Sequence, residues 1–163
     1  NYPYDYGYIS YKLSGLFFNY WKQKEDIQAL RDAVFQLREA EKIYTYALFP
    51  AFWAEIQGKL GQMLALLGNI TKSTEISEIA ITAYQNRQKV ISEKRFPLQW
   101  GHLQESIGEI HYQLGQKGAG DSHFEEAMEY FHDALYMYEN AQDTAGIKKV
   151  KNSINKCRQH LRN

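Results

Sequence analysis

The side chains that could do chemistry in this chain are few and scattered. Five histidines stand at His102, His111, His123, His132 and His160, and the one cysteine is Cys157. Two histidines four residues apart on a helix can hold a metal together, and no two of these five have that spacing. A single cysteine excludes an internal disulfide framework and a cysteine-rich zinc site, and it fits a reducing, cytoplasmic compartment. An enzyme needs a nucleophile, a base and an orienting group converging on one pocket, and no such set can be proposed from these residues. The expectation is therefore a protein that is not an enzyme, with no catalytic residues, no metal ligands and no cofactor. The remaining concentration of charge is near the end of the chain, where Lys148, Lys149, Lys151, Lys156, Arg158 and Arg162 follow the last acidic residue, Asp143. Such a stripe can track a phosphate backbone, or it can be the solvated outer face of a terminal helix. Without interleaved aromatics or glycines the second reading is preferred.

The elements that position these groups follow from an internal repeat. FPAFWAEIQGKLGQMLALLG begins at Phe49, and FPLQWGHLQESIGEIHYQLG begins 47 residues on, at Phe96. Pro50 and Pro97, Trp53 and Trp100, Gln57 and Gln104, Gly61 and Gly108, Leu67 and Leu114, Gly68 and Gly115, and Ala80 and Ala127 align without a gap. The same shift backwards sets Tyr2 on Phe49, Pro3 on Pro50, Tyr6 on Trp53 and Leu13 on Leu60. NYPYDYGYIS, whose tyrosines alternate as in a strand, therefore begins a helix, with Tyr4, Tyr8 and Tyr11 on one face. A proline in the first helical turn costs nothing, because its missing N–H belongs to the unpaired end. Shifted forwards, Ile147, Ile154 and Leu161 fall on Trp100, Ile107 and Leu114, so a further helix runs from about Thr144.

The organisation read from this is a single domain over residues 1–163, made of helical hairpins 2–48, 49–95 and 96–142 with a capping helix 144–162. Gly68 and Gly115 are expected to end the first helices as left-handed caps, and Ser122 with Glu125 to form a capping box. The second helix of the third hairpin is expected to bury Phe124, Ala127, Met128, Phe131, Ala134, Leu135 and Met137 or Tyr138, and that of the second Ile76, Ile79, Ala80, Ala83, Tyr84 and Val90. Trp53 and Trp100 should both be buried, and Gly61 and Gly108 should lie where the two helices of a hairpin approach closely.

Composition agrees with packed helices: 44% hydrophobic and 15% aromatic residues with three prolines. Nineteen basic residues balance nineteen acidic ones, so no overall field draws the protein to nucleic acid or to an anionic membrane. No apolar run is long enough to span a bilayer, and no signal-peptide pattern is present. The chain begins at Asn1 rather than methionine and is expected to be a piece of a longer protein.

An aliphatic and a small residue on the first helix (Leu60-Gly61, Ile107-Gly108), then alanine, aromatic and alanine on the second (Ala127, Phe131, Ala134), resemble the tetratricopeptide repeat, or TPR. The length and the FPLQW…Q…G…LG phrasing are similar to a long-unit bacterial variety. Ser14 and Asn155 replace the small glycine in the first and fourth units. The resemblance implies an all-α, right-handed TPR-like α-solenoid of three hairpins plus a C-terminal capping helix. It also implies a groove lined by the first helices, at positions two and five before and after the aliphatic residue. These are Tyr8, Tyr11, Gly15 and Phe18; Glu55, Gly58, Gln62 and Ala65; His102, Glu105, Glu109 and Tyr112; and Lys149, Asn152, Lys156 and Gln159.

Such a groove would be aromatic at one end, acidic in the middle and basic at the other. It lacks the cations of the family's two-carboxylate clamp, which disfavours a chaperone tail as ligand. The function implied is a non-catalytic scaffold that binds a protein or peptide segment, one carrying a basic residue beside an aromatic or apolar anchor, with neither nucleic acid nor membrane as partner. Tyr8, Tyr11, Phe18, Glu55, Gln62, His102, Glu105, Glu109 and Tyr112 are the candidate binding residues. The alternative is a regulatory array that senses a ligand or contacts RNA through the basic terminal helix.

Overall fold

The computed structural model describes residues 2–162, and among them the fold is all-α. Seven helices follow one another: α1 (Tyr2–Lys24), α2 (Ile27–Ile43), α3 (Pro50–Ile70), α4 (Thr74–Gln88), α5 (Pro97–Gln116), α6 (Ser122–Asn140) and α7 (Thr144–His160). They group into two compact bodies, Asn1–Val90 with α1 to α4 and Ile91–Asn163 with α5 to α7. In the first, α1 pairs with α2, α3 pairs with α4, and α2 also packs on α3; in the second, α6 lies between α5 and α7. Among the described residues, no helix is long and apolar enough to cross a membrane.

The 47-residue shift is written into the backbone. Phe49 precedes α3 with φ −138° and ψ 60°, and Phe96 precedes α5 with φ −139° and ψ 62°. In both places proline opens the helix, and the tryptophan amide three residues later donates to the phenylalanine carbonyl at 2.8 Å. Inside each hairpin a small residue on the first helix receives a large one from the second. A Cβ on Gly61 would stand 2.7 Å from the Tyr84 ring, and one on Gly108 would stand 2.9 Å from the Phe131 ring. The equivalent pair of the first hairpin, Ser14 and Leu37, is fully buried. Glycine is thus required at 61 and 108 for closeness.

Buried amides recur at the same register. Gln57 donates to Glu41 on α2 and accepts from Asn86 on α4, so it ties three helices together. Gln104 donates to Asp133 at 2.9 Å, and residues 86 and 133 are themselves one shift apart. Removing Gln57 would take away its bonds to the half-buried Glu41 and Asn86, at about 0.5–1.5 kcal/mol each.

Four expectations are corrected. Gly68 and Gly115 do not cap their helices, which run on to Ile70 and Gln116; the left-handed residues are Lys72 (φ 56°) and Gly118 (φ 79°). The two glycines instead make room for the second helix, since a Cβ there would meet the Ser77 amide at 2.9 Å and the Phe124 ring at 2.8 Å. Ser122 lies inside α6 behind Asp121, whose side chain makes no cap bond, so there is no capping box. Ile79 is exposed and Ser77 takes the buried place on α4. Trp53 is buried at 7% exposure, but Trp100 is only half-buried. The Tyr46 ring that lies 5.0 Å from Trp53 has Glu93 as its counterpart, so Trp100 lacks an aromatic cover.

The ends of the core differ. α3 is packed by α2 and α4, and Ile56, Leu60, Met63 and Leu67 are buried. Their counterparts on α1, which packs chiefly against α2, are Ile9, Leu13, Leu16 and Tyr20, and these are exposed by 36–65%.

Candidate binding face

Some of the groove residues that the TPR resemblance implies meet within each body. In the first, Tyr8 and Tyr11 lie one turn apart on α1 with rings stacked at 6.4 Å. Tyr11 reaches α3, where its hydroxyl donates to Glu55 and its ring lies 4.8 Å from Phe52, with the Lys59 ammonium 5.5 Å from its centroid. Burial, and then the bond to Glu55, push the Tyr11 phenol well above its ordinary value, so it stays protonated and donates. Phe52 continues into Tyr44, Phe49 and Tyr4, each ring within 5.5 Å of the next. Tyr4, Tyr8 and Tyr11 thus belong to an aromatic seam between α1, the end of α2 and the start of α3. Phe18 stands further along α1, stacked on Trp21 at 5.4 Å, while Gln62 is exposed on α3.

In the second body, His102, Glu105 and Glu109 lie on successive turns of α5. Tyr138 comes in from α6 and donates its single proton to Glu105, so its contact with His102 Nδ1 at 2.7 Å has the imidazole donating. Lys149 of α7 completes the cluster with an ion pair to Glu105. Tyr138 is wholly buried, and burial with the Glu105 bond raises its phenol far above the ordinary range. Glu109 is exposed and accepts from Gln113 at 3.2 Å. Tyr112 packs its ring against Phe124 and His160, both at 5.8 Å.

Three residues of this face lie outside the groove positions. Phe52 precedes Glu55 on α3, and Tyr138, expected only as a candidate for the buried stripe of α6, reaches Glu105 from that helix. Arg87 was hidden by a size exchange: it stands where Ala40 and Ala134 stand in the other hairpins, and its guanidinium occupies the space above Gly58, where a Cβ would lie 2.2 Å from Nη1. A glycine at a groove position opposite a uniquely large partner is the signal that could have revealed it. The first body therefore carries a cation from α4 beside Gly58, and in the second body Glu105 is already matched by Lys149, so less acidic charge is available than the sequence suggests. Lys151 is likewise paired, with Glu139 at 3.1 Å, which leaves the basic stripe of α7 less available than its sequence suggests.

Neither raised phenol can exchange a proton near neutral pH, and Cys157 cannot act as a thiolate there, because it is fully buried and burial pushes its thiol up to about 11. Of the histidines, His132 is exposed, His160 stacks on Phe124 at 4.6 Å, and His111 meets His123 across the α5–α6 hairpin. What the arrangement offers is a contact surface of aromatics set among fixed hydrogen bonds. Comparison with protein-family models, with curated proteins and with solved structures finds no match for this chain.

Proposed function

We propose that the chain is a TPR-like, non-catalytic scaffold module, of the long-unit bacterial kind and cytoplasmic, that binds a protein or peptide segment along the face lined by its first helices. One observation carries this reading. Groove positions that the TPR resemblance implies, dozens of residues apart, meet as partners: Tyr11 with Glu55 and Glu105 with Lys149. A face held together in this way is pre-organised, which lowers the ordering cost of binding.

Its chemistry selects the ligand. Tyr8, half-exposed with the Lys12 ammonium 5.1 Å from its ring, and Phe18, with Lys22 at 5.0 Å, are aromatic anchors of the kind that dominate binding energy. Glu109 and the outer oxygen of Glu55 remain to attract a lysine or arginine, and they govern preference and on-rate more than affinity. The ligand is thus an apolar or aromatic anchor flanked by a basic residue.

The test is a peptide array probed with the parent chain, followed by binding of the captured sequence to Tyr8→Ala with Tyr11→Ala and, separately, to Tyr112→Ala. Each variant should bind at least about tenfold more weakly, whereas Ile79→Ala and Tyr136→Ala, on exposed parts of α4 and α6, should bind as the parent does. Unchanged binding in both tyrosine variants, with helicity intact, refutes the assignment.

A further inference from the structure

We propose that His111, His123 and Glu126 form a binding site for a divalent transition metal of the zinc class. The three residues come from one hairpin. His111 lies near the end of α5, His123 is the second residue of α6, and Glu126 stands one helical turn further on, on the same face as His123. Their donor atoms converge: His111 Nδ1 is 3.0 Å from His123 Nδ1 and 2.8 Å from Glu126 Oε2, and His123 Nδ1 is 3.7 Å from the same oxygen. Zinc holds imidazole nitrogen and carboxylate oxygen at about 2.0–2.2 Å, so two ligands at a tetrahedral angle stand roughly 3.3 Å apart. The observed separations bracket that value.

Protons satisfy this constellation poorly. Three lone-pair donors face one another, and a neutral imidazole carries only one N–H. That hydrogen can serve one of the close pairs around His111 Nδ1 and leaves the other as lone pair against lone pair. One divalent cation accepts all three lone pairs at once.

The site is also built to hold its shape. The His111 ring is buried and lies nearly parallel to Tyr130 at 5.4 Å, which fixes its plane. Glu126 is half-exposed, so a fourth position opens to water and a path for the ion exists. Two imidazoles and one carboxylate suit zinc, cobalt, nickel or copper rather than calcium or magnesium, which take oxygen ligands. Bound metal would tie the two ends of the 117–121 connection together. The histidine spacing gave no sign of this, because the ligands lie on two helices and not on one.

The experiment uses the full chain, treated with chelator and dialysed, and titrated calorimetrically with zinc chloride alone. Binding of one ion per chain is expected, together with visible ligand-field absorption when cobalt is used and a rise in melting temperature with zinc. His123→Ala and Glu126→Gln, both at partly exposed positions, should each weaken zinc at least about tenfold and abolish the melting shift, and His132→Ala should change neither. Absence of stoichiometric binding overturns the proposal, and so does binding that survives both substitutions. If His123→Ala fails to fold, Glu126→Gln alone decides between these outcomes.

Discussion

Adding one methyl group to α1 and one to α3 should have opposite effects. Gly15 and Gly61 are both interior to long helices of the same body, so alanine at either gains about 1 kcal/mol of helix propensity. At Gly15 no heavy atom lies within 4 Å of the new Cβ, and the gain is kept. At Gly61 the Cβ would stand 2.7 Å from two atoms of the Tyr84 ring and 2.9 Å from its Cγ, and Tyr84 is only 8% exposed. Relief needs movement of the ring's root, not its far end, so overpacking of about 1–3 kcal/mol outweighs the propensity gain. The two substitutions should therefore differ by about 2 kcal/mol in urea unfolding followed by helical circular dichroism, with Gly15→Ala the more stable protein. The first hairpin supplies a further control, since it pairs Ser14 with Leu37 at these positions. Gly61→Ser combined with Tyr84→Leu should recover stability that Gly61→Ser alone loses, with a coupling of about 0.5–3 kcal/mol. Equal stabilisation by Gly15→Ala and Gly61→Ala would refute the assigned helix faces.

Three further outcomes follow from the structure. Met63→Ala, at a buried position of α3, should cost about 2–5 kcal/mol, while Leu16→Ala at the equivalent but exposed position of α1 should stay within about 0.5 kcal/mol; calorimetric or denaturant unfolding checks both. Trp53→Ala should cost about 3–5 kcal/mol and Trp100→Ala distinctly less, and equal losses would contradict the difference in burial. The Cys157 thiol, raised from 9.0 to about 11 by burial, should react at pH 8 about a hundredfold more slowly in the native chain than after unfolding. Because the folded state holds that proton more tightly, its contribution to stability is complete below pH 9 and is lost as pH rises towards 11, a slope that Cys157→Ala should remove.

The sequence made the helices and their register legible, because a core built from one repeated hairpin imposes the same sizes at the same places. Gly61 and Gly108 announced close approach, and the helical start at Tyr2 followed from Pro3 aligning with Pro50. Contacts that depend on local chain direction were not legible in this way. Gly68 was read as a cap because glycine suits left-handed backbone, yet its use is to admit Ser77, and the left-handed residue is Lys72. At the candidate binding residues, the TPR resemblance put Tyr11 and Glu55 at groove positions and they meet, but charge read one residue at a time missed Lys149 on Glu105 in the second body and Arg87 over Gly58 in the first. His111 and His123 were passed over for the same reason: their meeting depends on how the α5–α6 connection closes.

The central claim is that the first helices present the binding face and the second helices hold it in place. Hydrogen exchange of the full chain, with and without a peptide captured on the array, tests this most directly. The account predicts new protection in α1, α3, α5 and α7, strongest around Tyr8 to Tyr11 and around Glu109 to Tyr112. Protection confined to α4 and α6, near Ile79 and Tyr136, would contradict it.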